Sequence, residues 1–381
     1  MTDTDFSAHD LRYMQRALEL ALAGLFSTAP NPRVGCVLVK DGVVVGEGAH
    51  LRAGEPHAER HALAAAGDAA VGATCYVTLE PCAHTGRTGP CADALIAARV
   101  SRVVAAMRDP HERVAGLGFE RLRAAGIEVA VGLCEQQARA LNPGFIQRME
   151  TGRPFVRVKL AMSLDGRTAM ANGESQWITG AAAREDVQRL RALSSAIITG
   201  IGTVLADDPA LTVRPDTWQT LSYPELPVRQ PLRVVLDRNL RTPVKARLLG
   251  EAGQTLLVSA VDPDPSTASA LHAEGAEVVH LPASGSGIDL AALLDLLGQR
   301  ECNEVLVEAG PTLAAAFVSA GLCDELVVYM APALLGSNAR PLMVLPQLAS
   351  MADKISLQFI DVTQLGDDVR LVLRPASAGQ P

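Results

Sequence analysis

Apolar residues recur along the chain with two periods, and the switches between them outline its elements. Leu11, Met14, Ala17, Leu18, Ala21 and Leu22 fall at helical spacing within 9–24, ending at Gly24. Residues 34–39 and 43–45 read as strands joined at Asp41-Gly42, a pair suited to a tight hairpin. The spacing then predicts a helix over 55–66, with Pro56 in its first turn and Gly67 as its stop. Beyond it come a strand at 74–79, a helix at 91–98, a strand at 103–107, a helix at 119–125, a strand at 127–131 and a helix at 135–141. Strands alternating with helices, entered through one antiparallel hairpin, predict an α/β layer structure.

Turn formers stack at Asn142-Pro143-Gly144 and Thr151-Gly152-Arg153-Pro154, which predicts a boundary between a domain over 1–150 and another over 151–381. The alternation restarts with a strand at 156–161, a helix at 182–193 and a strand at 196–199. Further strands are expected at 234–236, 255–258, 277–281, 304–308, 326–330 and 369–373, with helices at 288–299 and 312–320. Five prolines and little periodicity over 207–232 predict a long surface loop, and the clusters at 261–267 and 282–287 read as turns. No fixed-period repeat is present, so the halves are different domains.

The formal net charge of −8 divides into −2 over residues 1–150 and −6 over the rest. Neither half has the basic surplus of a nucleic-acid binder, whereas a small phosphorylated metabolite held by a few arginines fits. Residues 1–10 show no secretory pattern, and no apolar run approaches the roughly 18 residues of a membrane span. The chain is expected to be soluble and cytoplasmic. An odd count of seven cysteines argues against a disulfide framework. Cys36, Cys75, Cys134, Cys302 and Cys323 sit among apolar residues and read as buried thiols. Cys82 and Cys91 differ, since each follows a proline in a polar loop.

That loop carries the chemistry. His57-Ala58-Glu59 opens a helix, and Pro81-Cys82 follows a strand and precedes Cys91 at the next helix start. One imidazole and two thiolates supply three zinc ligands and leave a tetrahedral position for water. Zinc lowers the pKa of that water towards about 7. Glu59 is placed to move a proton from the water to a ring nitrogen and the departing amine, the arrangement of zinc nucleobase deaminases. Eight residues separate the cysteines where such deaminases usually have two. The insert places His84 as a substrate-facing donor and Arg87 as a phosphate fork, or leaves both as solvated loop residues.

Asn31-Pro32-x-Val34-Gly35, His57-Ala58-Glu59 and the run from Pro81 to Cys91 resemble the deaminase domain of the bifunctional riboflavin-biosynthesis deaminase/reductase family, in which the long cysteine spacing is typical. The runs 159–168, 173–179, 203–209 and 307–313 resemble that family's reductase domain. Gly89, where the family usually has a second proline, and Ala315, where glycine is common, depart from it. The resemblance implies a cytidine-deaminase-like domain followed by a dihydrofolate-reductase-like reductase domain, with one zinc ion and NADPH as cofactors. The first would deaminate a diaminopyrimidinone ribosylamine 5′-phosphate and the second would reduce the ribosyl group to ribityl. The same likeness puts Asn31, His50, His84 and Arg87 at the pyrimidine and its phosphate. It puts Ala161, Trp177, Thr203 and Asp207 at the cofactor, and Ser175, Arg191, Leu211, Arg214 and Glu308 at the second substrate. A homo-oligomer, dimer or tetramer, is the expected assembly.

On its own terms the second half shows no G-x-G-x-x-G after a strand, so no Rossmann site is supported. Glu308-Ala309-Gly310-Pro311-Thr312 runs from strand through glycine to helix start, where the backbone N–H groups of the turn at Gly310-Pro311-Thr312 can cradle a phosphate or form a plain turn. Residues 198–203 offer a second glycine-rich turn with the same two readings. Lys159 and Glu308 are candidates for a proton relay; alternatively Lys159 snorkels and Glu308 caps the following helix. Arg191 and Arg214 suit phosphate as forks, and Trp177 reads equally as core. The rivals are a nucleobase or tRNA-type zinc deaminase fused to an accessory domain, and a non-catalytic zinc scaffold. The first lacks its basic groove and short cysteine spacing, and the second leaves Glu59 without a purpose.

Overall fold

A computed structural model describes residues 6–83, 89–112, 114–219, 223, 228–262, 264–285 and 287–376. They divide into two compact units, Met1–Arg153 and Pro154–Pro381.

In the first, Ser7 and Asp10 exchange hydrogen bonds that cap α1 (Ala8–Ala21). Its buried stripe of Tyr13, Met14, Ala17 and Ala21 packs on β1 (Gly35–Lys40). The chain turns into β2 (Val43–Ala49) through Asp41 and Gly42, both at positive φ (52° and 78°), as a two-residue hairpin requires. α2 (Ala58–Ala66) then leads to β3 (Thr74–Val77), antiparallel to β1. α3 (Cys91–Ala97), β4 (Arg102–Ala105), α4 (Leu117–Ala124) and β5 (Glu128–Val131) complete a sheet of order β2-β1-β3-β4-β5, in which β3, β4 and β5 are parallel. β1 is buried on both faces, which its unbroken apolar run anticipates.

Two glycines of β2 bring α2 to backbone contact. A methyl carbon on Gly46 would lie 2.2 Å from the Ala62 carbonyl oxygen, and one on Gly48 2.2 Å from that of Ala58. No larger residue fits either place. The helix predicted over 55–66 begins only at Ala58, because His57 keeps an extended backbone (φ −73°, ψ 166°) as its N-cap, leaving Pro56 outside. The turn formers at 142–154 open a helix instead. After α5 (Glu135–Leu141), Pro143 begins α6 (Pro143–Thr151) with φ already set for a helix, and left-handed Gly152 ends it. Cys134 is half-buried at φ 61° rather than in the core.

The second unit is built on β6 (Phe155–Ser163), β7 (Ala196–Gly200), β8 (Leu232–Leu236), β9 (Thr255–Ser259), β10 (Ala276–His280), β11 (Glu304–Glu308), β12 (Glu325–Ala331), β13 (Leu357–Leu365) and β14 (Asp368–Pro375). Their order is β10-β9-β8-β7-β11-β6-β12-β14-β13, parallel from β10 to β12 and closed by two antiparallel strands. Ile197, Ile198, Val305, Leu306 and Val307 are fully buried at its centre, on both faces of the sheet. α7 (Ala181–Leu193) precedes β7, and α8 (Ile201–Asp207) follows it directly with Gly200 as N-cap, so the glycine-rich stretch at 198–203 is a strand-to-helix junction.

The loop predicted over 207–232 is not wholly superficial: Ala210, Leu211, Thr212 and Val213 are buried. The stretch at 261–267 contains a helix start, where Asp264 accepts from the N–H groups of Ser266 and Thr267 to cap Pro265–Ala273. Within 282–287, Ala283–Ser284 pairs with Gly287–Ile288. β13 escaped the pattern because it is an edge strand with Phe359, Ile360 and Val362 exposed, so no buried face imposes alternation. Among the described residues, no helix is long and apolar enough to cross a membrane.

Candidate active sites

His57 caps α2 and Cys91 is the first residue of α3, so two helix N-termini meet at one point. Cys82 arrives from the segment after β3. His57 Nδ1 lies 3.4 Å from Cys91 Sγ and 3.6 Å from Cys82 Sγ, and the three donor atoms all lie within 4.8 Å of one another. A tetrahedral zinc at about 2.3 Å from sulfur and 2.0 Å from nitrogen holds those ligands about 3.5 Å apart, so the trio fits the ion. The Cys91 N–H also donates to Cys82 Sγ at 3.3 Å. The hydrogen bond from the Cys91 thiol, with burial opposing and His57 assisting, holds Cys82 down to about 4. That same bond, together with burial, pushes Cys91 up.

Glu59 is 3% exposed in the first turn of α2. Burial, and then the Cys82 thiolate, raise its carboxyl above the usual range. His50, just beyond β2, is buried beside His57, with ring centroids 5.2 Å apart and edge to face. Its Nδ1–H donates to the Pro56 carbonyl at 3.1 Å, leaving Nε2 to accept from the Asn31 side-chain N–H at 3.1 Å. Burial lowers the His50 pKa, which keeps the ring neutral. The structure thus joins Asn31 and His50 to the metal trio and Glu59. His84 and Arg87 lie outside the described residues.

The second cluster sits where the carboxyl end of β11 meets the middle of β6, with Lys159 and Glu308 as register partners. Arg191 of α7 donates to Glu308 through Nε at 2.6 Å and Nη2 at 2.8 Å, and through Nη1 to the Thr212 carbonyl at 3.1 Å. Its fork is therefore committed to a carboxylate. Burial would raise Glu308, yet Arg191, Lys159 and Arg214 hold it below its ordinary value. Burial lowers Lys159, Arg191 adds to that, and Glu308 opposes it. Gly310 caps the following helix with no side-chain cap, so Glu308 serves the ion pair rather than the helix end. Tyr329, which the sequence presents as core, lies under the Lys159 ammonium at 5.8 Å and donates to Asp186 at 2.7 Å. Its apolar strand hid it.

Two glycine-led helix starts flank the neighbouring strands β7 and β11. A methyl carbon on Gly200 would lie 3.5 Å from Leu313 of Pro311–Ser319, so the starts carrying Thr203 and Gly310-Pro311-Thr312 are adjacent. That pairing suits a dinucleotide phosphate. Asp207 ends α8, and Ala161 lies in β6. Trp177 is not core: it is 71% exposed, with the Arg184 guanidinium 4.8 Å from its ring. Ser175 is half-buried near it in sequence, and among the described residues no hydrogen bond links either of them to the helix starts. Leu211 is buried at φ 50°, and Arg214 is exposed.

Residues 7–107 match the cytidine and deoxycytidylate deaminase zinc-binding region, and residues 154–371 match the RibD C-terminal domain. The riboflavin biosynthesis protein RibD of Escherichia coli (strain K12) is 53% identical over 96% of this chain and 99% of its own. The chain belongs to the RibD family. The RibD protein of Haemophilus influenzae is 50% identical over 97% of this chain and 99% of its own. Form 1 of Acinetobacter baumannii RibD superposes with a TM-score of 0.88 at 48% identity, covering 97% of this chain and 99% of that one. A Thermotoga maritima diaminohydroxyphosphoribosylaminopyrimidine deaminase/5-amino-6-(5-phosphoribosylamino)uracil reductase reaches 0.83 at 33% over the same shares. As a RibD protein the chain is a bifunctional enzyme of riboflavin biosynthesis: a cytidine-deaminase-like zinc domain followed by a reductase domain that uses NADPH. A tRNA-type deaminase with an accessory domain is thereby set aside.

Proposed function

We propose that the first unit deaminates 2,5-diamino-6-ribosylamino-4(3H)-pyrimidinone 5′-phosphate and that the second reduces the ribosyl group of the product to ribityl. The observation that carries the reading is Glu59, buried beside three donors at zinc-ligand spacing. His57, Cys82 and Cys91 hold zinc, which when bound supplies an acidified water. Glu59 would take one proton from the attacking water and pass it to the ring nitrogen, then carry the water's second proton to the amine as the carbon–nitrogen bond breaks and ammonia leaves. Asn31, oriented by His50, keeps its carbonyl oxygen for a substrate amine. In this reading His84 and Arg87 receive the phosphate end.

In the second unit, ring opening moves the ribosylamine N–H proton to O4′ and leaves an imine that is electrophilic at C1′. NADPH supplies the hydride. Lys159, its pKa lowered by burial, supplies the proton that completes the amine, and Glu308 holds both Lys159 and Arg191 in place. Arg214 takes the substrate phosphate because Arg191 is engaged. Ser175 and Leu211 line the sugar. Ala161, Trp177, Thr203, Asp207, Gly310, Pro311 and Thr312 serve the cofactor. Free cysteines throughout suit a reducing cytoplasm, and the exposed apolar edge strand β13 suits pairing with a second copy.

Glu59→Gln tests the reading. Zinc content stays at that of the parent while deamination falls about 10²–10⁴-fold, and reduction of the deaminated product, supplied directly, is unchanged. Full retention of deamination, or failure to consume that product, overturns it.

A further inference from the structure

Glu80 stands two residues before Cys82 and is 5% exposed, and among the described residues its carboxylate makes no hydrogen bond to His57, Cys82 or Cys91. Its carboxylate instead accepts four backbone N–H groups from the segment after β4. Oε2 accepts from Asp109 at 3.1 Å and Gly116 at 2.9 Å, and Oε1 accepts from Gly118 at 2.9 Å and Phe119 at 3.4 Å. Charged acceptors make such bonds about twice as strong as neutral ones. The same face of Gly118 also approaches the next residue: a methyl carbon there would lie 2.0 Å from the Pro81 carbonyl oxygen and 3.2 Å from Glu80 Oε1. The start of α4 therefore holds both the Glu80 side chain and the backbone that leads to Cys82. From the other direction Cys82 is held by α3, whose Cys91 and Ala92 N–H groups donate to its sulfur and its carbonyl.

We infer that Glu80 is a positioning residue for the deaminase, fixing Cys82 at the metal by locking its backbone to the 109–119 segment. This rests on the zinc-site reading above. Glutamine has the same shape but one donor in place of an acceptor, so two of the four N–H groups would face an N–H₂ and the clasp would open on one side. Groups that orient metal ligands from outside the coordination sphere commonly matter about 10–100-fold in affinity or rate.

The test uses the full-length zinc-loaded enzyme. Glu80→Gln should release zinc to an excess of chromogenic chelator about tenfold faster than the parent and lower deamination kcat. Reduction of supplied product, by the same molecules, should be unchanged. Gly118→Ala keeps Glu80 but drives a methyl at the Pro81 carbonyl and against Glu80 Oε1, and should also speed zinc release, which covers the case that Glu80→Gln fails to fold. If either variant folds and releases zinc at the parental rate with kcat unchanged, even with a lowered melting temperature, Glu80 merely braces the domain and the inference is wrong. Absence of zinc from the parent enzyme would instead defeat the zinc-site reading itself.

Discussion

Arg191 and Glu308 form a two-pronged ion pair, with side chains only 12% and 11% exposed. Truncating one partner of such a pair strands the other charge. Arg191→Ala is expected to cost the reductase unit about 3–5 kcal/mol in denaturant unfolding and to abolish product-dependent NADPH oxidation. Deamination stays at the parental rate. Arg191→Lys, which keeps the charge but not the fork, should fall between parent and alanine variant.

Arg214 is the exposed guanidinium of the cationic group around Glu308. With Arg191 committed, Arg214→Ala should raise KM for the phosphorylated substrate about tenfold while kcat changes little, the behaviour of uniform binding lost. Steady-state reductase kinetics decide; an unchanged KM would move the phosphate elsewhere.

Glu59 links stability to pH in protein stripped of metal. Burial raises its carboxyl in the folded state, so the native chain binds that proton more tightly than the unfolded chain. Stability therefore falls as pH rises from the unfolded value, about 4.3, through the raised folded one, and the deficit persists above both. Metal-free Glu59→Gln should melt higher than the metal-free parent at pH 7, and the two should converge below about pH 4. Melting curves across that range check the sign.

Trp177 is exposed and stacked by Arg184. Trp177→Ala should change stability by no more than about 0.5 kcal/mol yet weaken NADPH binding, measured by titration of the free enzyme. A large loss of stability would return it to a packing role.

Most of this fold is legible in the chain because buried strands and amphipathic helices carry periodic signals. β11 and α5 fall on their predicted bounds for that reason. The metal trio is legible because His57, Cys82 and Cys91 each sit at a recognisable helix or strand junction. What eludes sequence reasoning is choice of partner. Nothing local says that Arg191 meets Glu308, 117 positions away, rather than a phosphate. Tyr329 in an apolar strand looks like packing until Lys159 is seen above it. The helix at Pro143–Thr151 was masked because Asn-Pro-Gly marks turns and helix starts alike.

The contact between β2 and α2 leaves the deaminase sensitive far from its chemistry. Neither Gly46 nor Gly48 has a side chain to offer water, metal or pyrimidine, yet a single added carbon at either would shove the helix that begins with His57 and carries Glu59. A random-mutation screen for lost ammonia release should accordingly return hits in this silent strand, with the reductase half of the same molecules still at work.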